Sequence, residues 1–408
     1  MTQQKLLLIM IDGVSADYFE NHRGRLPNLS SLADDGYVVR RMRSPVPGTS
    51  MPGRASILTG VGTDKHGIFG NRVPDNGVFV GAEVDHVRVP TIATLAASAG
   101  LDVACIGHAL IKPEDASIYV PPCWLRGPGF TKVPSDGSIS TLLRVKDPRN
   151  RLAAVTLPSY AIRADQSNDS SRLTDTLIGD QLNIGAAASL LQSEHAPDFV
   201  ITEINTTDYF QHDFGYESDE GHFAVAFADA LVGTCLESLR RANRREDYAI
   251  VVVSDHGHGN ISRSIFPDLI IPGKVWQAEG ATLHVLVKDE QERQEVANRL
   301  SSYGVQSWNN DHVPVELSDK IATFMAPEDH DFEETPADHS SGEPIGRPKY
   351  KSTHGFRPGL PADDRMCICS GAGVPKGVEE TVNATRLTPT LASILGLPLD
   401  PFADRPLF

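Results

Sequence analysis

Residues 248–257 read YAIVVVSDHG, and this stretch sets the fold class that the rest of the chain must fit. The apolar run 249–254 has the length of a buried strand, and Asp255, His256 and the turn-forming Gly257 follow it directly. A charged side chain at the end of an apolar strand is costly to bury unless it is paired or binds a metal. The stretch therefore predicts a buried strand that carries two metal ligands at its carboxyl end.

Further apolar runs alternate with helical patterns along the chain. This alternation predicts an α/β fold with a doubly wound, mostly parallel sheet flanked by helices. In such a sheet, ligands collect at the carboxyl ends of the strands. The strand candidates are residues 6–11, 101–106, 199–204, 248–254 and 366–369, and the helix candidates are residues 26–35, 91–99, 174–193, 219–243 and 388–395.

The length of the chain, 408 residues, exceeds the size at which a single hydrophobic core usually stops growing. Residues 1–259 and 351–408 carry the alternating pattern and are predicted to form the catalytic core. Within them, residues 110–172 are rich in Pro, Gly, Ser and Arg and are predicted to be a loop insertion. Residues 260–350 contain a compact strand, helix and strand signal at 281–287, 290–303 and 305–308, which predicts an inserted cap.

Charge and cysteine content restrict the class of partner and the compartment. The 37 Lys and Arg residues against 53 Asp and Glu residues give a net charge of −16, which opposes binding to a nucleic acid polymer or an anionic membrane surface. The apolar run at the N-terminus is too short for a signal peptide, and no other run approaches the roughly 20 apolar residues of a membrane span. The five cysteines include no zinc-type pair, so we expect reduced, buried thiols in a cytoplasmic protein.

Metal-ligand side chains occur in four short pieces of the chain, beside a glycine or on one helical face. Asp208 and His212 are four residues apart and share one face of a helix. Three carboxylates and three imidazoles make two ligand sets, and mixed sets of this kind suit zinc or a similar divalent ion. The pieces are Asp12-Gly13, Asp208-Tyr209-Phe210-Gln211-His212, Asp255-His256-Gly257 and His354-Gly355.

A fifth piece, residues 50–54, supplies a hydroxyl and a guanidinium. Ser50 opens an amphipathic run that predicts a helix ending at Gly60, and a helix N-terminus presents free N–H groups to an anion. Arg54, one turn further on, is expected to add a bidentate donor to the bound anion. Thr49 is an adjacent competitor for the role of nucleophile. His258 is expected to contact a metal ligand or solvent rather than the metal itself, and a contact to the substrate is the alternative.

Taken together, these pieces resemble the alkaline phosphatase superfamily, and within it the nucleotide pyrophosphatase/phosphodiesterase branch. The resemblance implies a dizinc hydrolase of small phosphate or phosphonate substrates that works through a covalent phosphoseryl intermediate. It assigns one zinc to Asp208, His212 and His354, and the other to Asp12, Asp255, His256 and Ser50. It also includes residues 66–68 followed by Asn71, which is taken as a substrate-binding residue.

Two departures from the branch keep alternatives open. The branch usually has Thr at position 50 and Asn at position 53, whereas this chain has Ser50 and Gly53. Residues 207–212 are similar to the phosphonoacetate hydrolase version of that segment, with Lys112 as the counterpart of its carboxylate-binding lysines. Residues 50–54 also look similar to the sulfatase signature. A phosphomonoesterase, a binding protein that has lost the chemistry and a homo-oligomer are compatible with the sequence as well.

Overall fold

An eight-stranded, mostly parallel sheet forms the centre of the molecule in the computed structural model, which describes residues 4–122, 144–157, 169–339, 341–400 and 402–408. The strands are β1 Lys5–Ile11, β2 Tyr37–Arg43, β3 Arg72–Asp75, β4 Val78–Gly81, β5 Val103–Ile106, β6 Ile118–Val120, β7 Phe199–Ile204, β8 Tyr248–Ser254, β9 Gly259–Asn260, β10 Arg263–Ile265, β11 Trp276–Glu279, β12 Thr282–Leu286, β13 Gln306–Trp308, β14 Ile321–Met325, β15 His330–Phe332, β16 Ile345–Gly346, β17 Ser352–Thr353, β18 Arg365–Gly371 and β19 Gly377–Asn383. The helices are α1 Ala16–His22, α2 Pro27–Asp35, α3 Ser50–Thr59, α4 Thr63–His66, α5 Ile92–Ser98, α6 Asp169–Gln192, α7 Thr206–Phe214, α8 Asp219–Arg241, α9 Pro267–Ile270, α10 Glu290–Ser301 and α11 Leu387–Ile394.

The strand order of the main sheet is β19-β2-β18-β8-β1-β7-β5-β6, and among these described strands β18 alone runs antiparallel to its neighbours. The predicted fold class is therefore confirmed. The register aligns Ile11 of β1 with Ile204 of β7 and with Ser254 of β8. Because these three neighbouring strands end level, the residues that follow them emerge at one place on the carboxyl edge of the sheet.

Both faces of the sheet are covered, as the buried runs require. Along β1, Leu6, Leu8 and Met10 pack into one hydrophobic cluster, whereas Leu7 and Ile9 pack into another on the opposite face. All these side chains are buried. A strand that is apolar on both faces fits a parallel sheet with helices on either side.

A second, smaller sheet follows β8 in the chain. Strands β11, β12, β14 and β13 form an antiparallel sheet, and α10 packs beside it over a separate hydrophobic cluster drawn from residues 261–356. The predicted strand, helix and strand at 281–287, 290–303 and 305–308 are β12, α10 and β13. Much of the predicted loop insertion, residues 110–172, lies outside the described residues.

Helix α8 is long and apolar enough, by length and composition alone, to cross a membrane. We expected no stretch to meet that criterion, so this expectation was wrong. Half of the apolar window of α8 is buried inside the fold, and the core helix of a soluble protein passes the same test. The apolar face of α8 packs against α6, α7 and α2.

Candidate metal centre and active site

The carboxyl edge of β1, β7 and β8 brings all six predicted metal ligands together. Asp12 follows β1 and Asp255 follows β8, whereas Asp208 lies in the first turn of α7, just after β7. His354 reaches the same place directly after the short strand β17. Three overlapping groups of ligand atoms, each within 4.8 Å of one another, occur here among the described residues: Asp12, Asp255 and His256; Asp208, His256 and His354; and Asp208, His212 and His258.

The first group forms around His256. Its Nε2 lies 3.0 Å from Asp12 Oδ1 and 3.8 Å from Asp255 Oδ1. Its Nδ1 lies 2.7 Å from the carbonyl oxygen of Gly257, to which it donates, and this contact points Nε2 at the two carboxylates. A backbone carbonyl that fixes the tautomer in this way is the usual support of a metal-binding histidine.

The second group forms around Asp208. Its Oδ1 lies 3.3 Å from His212 Nε2, while His212 Nδ1 contacts the carbonyl oxygen of Ser352 at 2.8 Å. The His212 and His354 ring centroids are 5.0 Å apart. The structure adds His258, which is fully buried with Nε2 3.4 Å from Asp208 Oδ1. His258 thus stands directly against a ligand carboxylate.

Several buried polar atoms of this cluster fit a pair of bound cations. Asp12 Oδ1, Asp208 Oδ1 and His354 Nδ1 are buried and have no hydrogen-bond partner among the described residues. His256 and His212 each use Nδ1 as the donor to a carbonyl, so their neutral rings turn a lone pair toward a carboxylate oxygen. Two lone pairs at such distances repel each other unless a proton or a metal ion lies between them. The donor set therefore fits divalent ions.

The negative charges of the ligand carboxylates also affect the protonation of the neighbouring imidazoles. Burial lowers the pKa of His256, but the negative charges of Asp255, Asp12 and Asp208 outweigh it and raise that pKa to about 9. Burial, together with the neighbouring His256, holds the pKa of His354 well below its usual value. Without a cation the cluster thus binds a proton at His256, and a metal ion would displace that proton.

Ser50 and Thr49 are placed in different surroundings at the start of α3. The Ser50 Oγ lies 3.2 Å from His256 Nε2 and on the wall of the cleft. Thr49 is fully buried, and its hydroxyl donates to Glu279 at 3.3 Å. Of these two adjacent hydroxyls, only that of Ser50 faces the ligand cluster.

Arg54 lies at the base of the cleft and is nearly fully buried. Its guanidinium donates to Asp12 at 2.6 Å, to Glu203 at 3.1 Å and to Asn205 at 3.1 Å, and Nη1 lies 2.9 Å from Asp255 Oδ2. We expected this group to face the phosphoryl oxygens, but the structure places it against two of the ligand carboxylates. Burial alone would lower the Arg54 pKa, and the three carboxylates raise it well above its usual value.

Asn71 lines the cleft beside Ser50, and a residue of the smaller sheet holds it there. Its Oδ1 accepts a hydrogen bond from the Met51 amide at 2.9 Å. The backbone amide of Asn71 donates to the Glu279 carboxylate at 2.7 Å, and the backbone amide of Arg72 donates to the same carboxylate at 3.2 Å. Burial raises the pKa of Glu279 to about 7, although these hydrogen bonds oppose the shift.

Lys112 is not brought to the cleft. Its ammonium pairs with Asp85 at 3.0 Å on the surface, and the Lys112 side chain is 41% exposed. The cleft has a volume of about 280 Å³, and Arg172 lines it together with Arg54 and several of the ligands. The described lining residues are Asp12, Ser50, Met51, Arg54, Asn71, Arg172, Asn205, Asp208, Tyr209, His212, Tyr350 and His354.

Sequence reasoning missed Glu203, Glu279 and Arg172 as members of the site. Glu203 sits inside β7, where its signal was a lone charge in an apolar run. Glu279 and Arg172 come from insertions that carry no motif, so the sequence offered no signal for them. His258 was noted for its place in Asp255-His256-Gly257-His258, and the structure assigns it a contact to Asp208.

Comparison with known proteins gives the family. The family model described as "Type I phosphodiesterase / nucleotide pyrophosphatase" matches residues 6–357. A venom phosphodiesterase of Macrovipera lebetinus is 26% identical over 261 residues, which is 64% of this chain and 26% of that protein. The bis(5'-adenosyl)-triphosphatase ENPP4 of Pongo abelii is 22% identical over 401 residues, which is 96% of this chain and 78% of that protein.

A solved structure shares the fold. Murine ectonucleotide pyrophosphatase/phosphodiesterase 5, solved as an inactive variant in complex with AMP, superposes with a TM-score of 0.69 at 16% identity and covers 97% of this chain and 96% of that chain. The chain spans about a quarter of the length of the venom phosphodiesterases that it matches. The family model covers most of the chain, and the protein therefore belongs to the type I phosphodiesterase / nucleotide pyrophosphatase family.

Proposed function

We propose that this protein is a hydrolase of phosphate esters, of the phosphodiesterase or nucleotide pyrophosphatase kind, that works with two divalent ions, most simply zinc. The observation that carries the proposal is the position of Ser50. Its hydroxyl lies at the N-terminus of α3, against a buried cluster of three carboxylates and three imidazoles. That combination supplies a nucleophile and a cation site in one cleft.

Asp208, His212 and His354 would hold one ion, and Asp12, Asp255 and His256, with Ser50, the other. When bound, such ions lower the pKa of a nearby hydroxyl and stabilise negative charge on phosphoryl oxygens. Arg54 orients Asp12 and Asp255 and balances part of their charge. Because the Met51 amide occupies Asn71 Oδ1, the Nδ2 group of Asn71 is the donor left for a phosphoryl oxygen.

The reaction proceeds in two displacements at phosphorus. Ser50 loses its proton, its Oγ bonds to phosphorus, and the bond from phosphorus to the leaving oxygen breaks; the leaving group then takes up a proton. A water molecule next attacks the phosphoseryl group, and the Oγ–P bond breaks to release phosphate or a phosphomonoester. Ser50 regains a proton and the site is restored.

The test is a substrate panel with zinc-loaded protein: an aryl phosphodiester, an aryl phosphomonoester, a nucleotide, phosphonoacetate and an aryl sulfate. We expect a phosphorus ester to be the best substrate, Ser50→Ala to abolish turnover while retaining metal, and Thr49→Ala to keep substantial activity. A higher rate with the sulfate ester than with every phosphorus substrate would contradict the proposal. An active Ser50→Ala protein would rule out the nucleophile.

A small anionic substrate and a reducing compartment complete the proposal. The chain's net charge of −16 disfavours a nucleic acid polymer as the substrate. Four cysteines, Cys105, Cys235, Cys367 and Cys369, are buried free thiols, which fits the cytoplasm.

A further inference from the structure

One end of the cleft carries a cation and two aromatic rings for which the proposed reaction has no use. Arg172, in the first turns of α6, lines the cleft together with Tyr209 and Tyr350. The Arg172 guanidinium carbon lies 5.0 Å from the centre of the Tyr209 ring. The Tyr350 ring stands beside the His212 ring, with centroids 4.8 Å apart.

Arg172 is held in a fixed position by the carboxylate of Asp213 and by a hydrogen bond to the Tyr350 side chain. Both oxygens of Asp213 lie 2.7 Å from the same terminal nitrogen, Nη2. The Nε group is buried and has no hydrogen-bond partner among the described residues. A guanidinium has five N–H donors, of which Asp213 takes those of one terminal nitrogen and Tyr350 takes a further one, so that not all five are used. The side chain is thus anchored and retains donors for a second anion.

The place of Arg172 in the cleft determines which part of a substrate it can meet. Tyr209 follows the ligand Asp208 in the chain, and Tyr350 packs on the ligand His212, so these residues mark the Asp208 end of the cluster. Ser50 lies at the other end, against His256. In an in-line displacement the leaving group departs on the side opposite to the nucleophile. The Arg172 end of the cleft is therefore the leaving-group end.

We propose that Arg172, held by Asp213 and flanked by Tyr209 and Tyr350, forms an anion subsite that binds a second charged group, a phosphate or a carboxylate, on the leaving group of the substrate. This inference rests on the proposed function, because that function defines the leaving-group end. A guanidinium donor that Asp213 leaves can bind one oxygen of a carboxylate or a phosphate through a charge-assisted hydrogen bond. The subsite favours pyrophosphate-type bonds and carboxylated phosphonates over esters of neutral alcohols.

The kinetic test compares two derivatives of one nucleoside monophosphate that differ only in the leaving group: the nucleoside triphosphate, an anhydride that releases pyrophosphate, and the p-nitrophenyl ester. Charge-assisted hydrogen bonds of this kind correspond to about 10-fold to 100-fold in affinity. Arg172→Met should therefore lower kcat/KM for the triphosphate about 10-fold to 100-fold more than for the p-nitrophenyl ester. Equal losses on both substrates would overturn the subsite.

The binding test does not depend on turnover. In zinc-loaded Ser50→Ala protein, phosphonoacetate should bind more tightly than methylphosphonate, which differs from it only by lacking the carboxylate. Adding Arg172→Met should remove that preference, and an unchanged preference would overturn the carboxylate arm. Asp213→Asn should strengthen binding of phosphonoacetate, because it frees the guanidinium from its charge partner while keeping an oxygen acceptor.

Arg240→Met is the matched control, since Arg240 makes a similar ion pair with Glu237 on the exposed side of α8. It should alter neither the substrate ratio nor the binding preference. Wild-type protein that hydrolyses no phosphorus ester would count against the proposed function. Suppose instead that wild-type protein hydrolyses both nucleotide substrates and that Arg172→Met leaves the ratio of their kcat/KM values unchanged. That result would count against the subsite alone.

Discussion

Arg54 is a fully buried cation among acidic groups, and its position decides how the metal centre holds together. Three carboxylates, from Asp12, Glu203 and Asp255, converge on its guanidinium at the ends of three neighbouring strands. Carboxylates packed so closely repel each other unless cations separate them. Arg54 therefore acts as a permanent counter-ion from within the fold, whereas divalent ions would supply the remaining positive charge from the cleft.

Replacing Arg54 with Met should destabilise the metal-free protein by about 3–5 kcal/mol, because it leaves buried carboxylates without a partner. Zinc should recover part of this loss, since the ions neutralise the same carboxylates. Urea unfolding with and without a chelator measures both values. Arg23→Met, which breaks an exposed pair with Asp34, is the control and should cost at most about 1 kcal/mol. Equal costs for the two variants would contradict the role given to Arg54.

The residues of the site were predictable only where they stand in local patterns. Five of the six ligands follow apolar strands or share a helical face, His354 stands beside Gly355, and the structure brings all six together. The partners of Arg54 were not predictable, because Glu203 and Asn205 reach it only through the pairing of β7 with β1. Lys112 was predicted from the resemblance to phosphonoacetate hydrolase, and Asp85 holds it at the surface instead.

The turn between β11 and β12 is the element that couples the smaller sheet to the catalytic residues. Glu279 accepts hydrogen bonds from the Asn71 and Arg72 amides and from the Thr49 hydroxyl. Gly280 follows at φ +66°, and a Cβ there would lie 2.2 Å from the carbonyl oxygen of His354. The turn is thus packed directly against the segments that carry the nucleophile and one metal ligand.

The pKa of Glu279, which burial raises to about 7, predicts a pH-dependent stability. Because the folded state favours the protonated form, this stabilisation is complete below the unfolded pKa of about 4.3 and is lost as the pH rises to 7 and beyond. The loss amounts to about 4 kcal/mol at about 1.4 kcal/mol per pKa unit. Chelator-treated wild type should therefore lose stability relative to Glu279→Gln between pH 4 and pH 8.

Chemical unfolding of both proteins across that range is the measurement. Glu290→Gln makes the same chemical change at an exposed position on α10. Parallel pH profiles of the wild type and Glu279→Gln would show that Glu279 does not titrate in this way. Glu279→Gln should also raise KM or lower kcat, because its side chain keeps one oxygen to accept the hydrogen bonds that the Asn71 amide, the Arg72 amide and the Thr49 hydroxyl give to two.

Elements with a uniform pattern were predicted well, and elements with a mixed pattern were not. Strands β1, β7 and β8 are apolar on both faces and were found within one or two residues. Strands β2 and β19 were missed, because YVVRRMR and GVEETVN carry charges on their exposed sides and lie toward one edge of the sheet. Such strands are recognised by their partners in the sheet, which a sequence pattern does not contain.

At the scale of the whole molecule, the metal centre joins segments from nearly the full length of the chain, from Asp12 to His354. Metal binding should therefore stabilise the fold globally. At free metal concentrations of 100 times the dissociation constant, one bound ion adds about 2.7 kcal/mol. We expect zinc to raise the Tm of the whole cooperative transition, and a transition unaffected by zinc would contradict this.

Metal analysis should find two ions per chain in fully loaded protein. Asp208→Ala and Asp255→Ala should each lower occupancy, and they should empty different sites first, because the two carboxylates belong to different ligand groups. Equilibrium dialysis of each variant against a graded zinc series separates the sites. A single ion per chain in fully loaded wild type would refute the two-ion centre.

The pairing of β2 has a consequence for the folding of the protein during translation. β2 is made long before its partners, because the described strands that pair with it in the main sheet are β18 and β19. The strand and the Ser50 helix that follows it therefore cannot pack in their final place until those two strands have been synthesised. A nascent chain stopped before Gly371 leaves this edge open to proteases and chaperones, so the catalytic segment completes its folding only after β18 and β19 have been made.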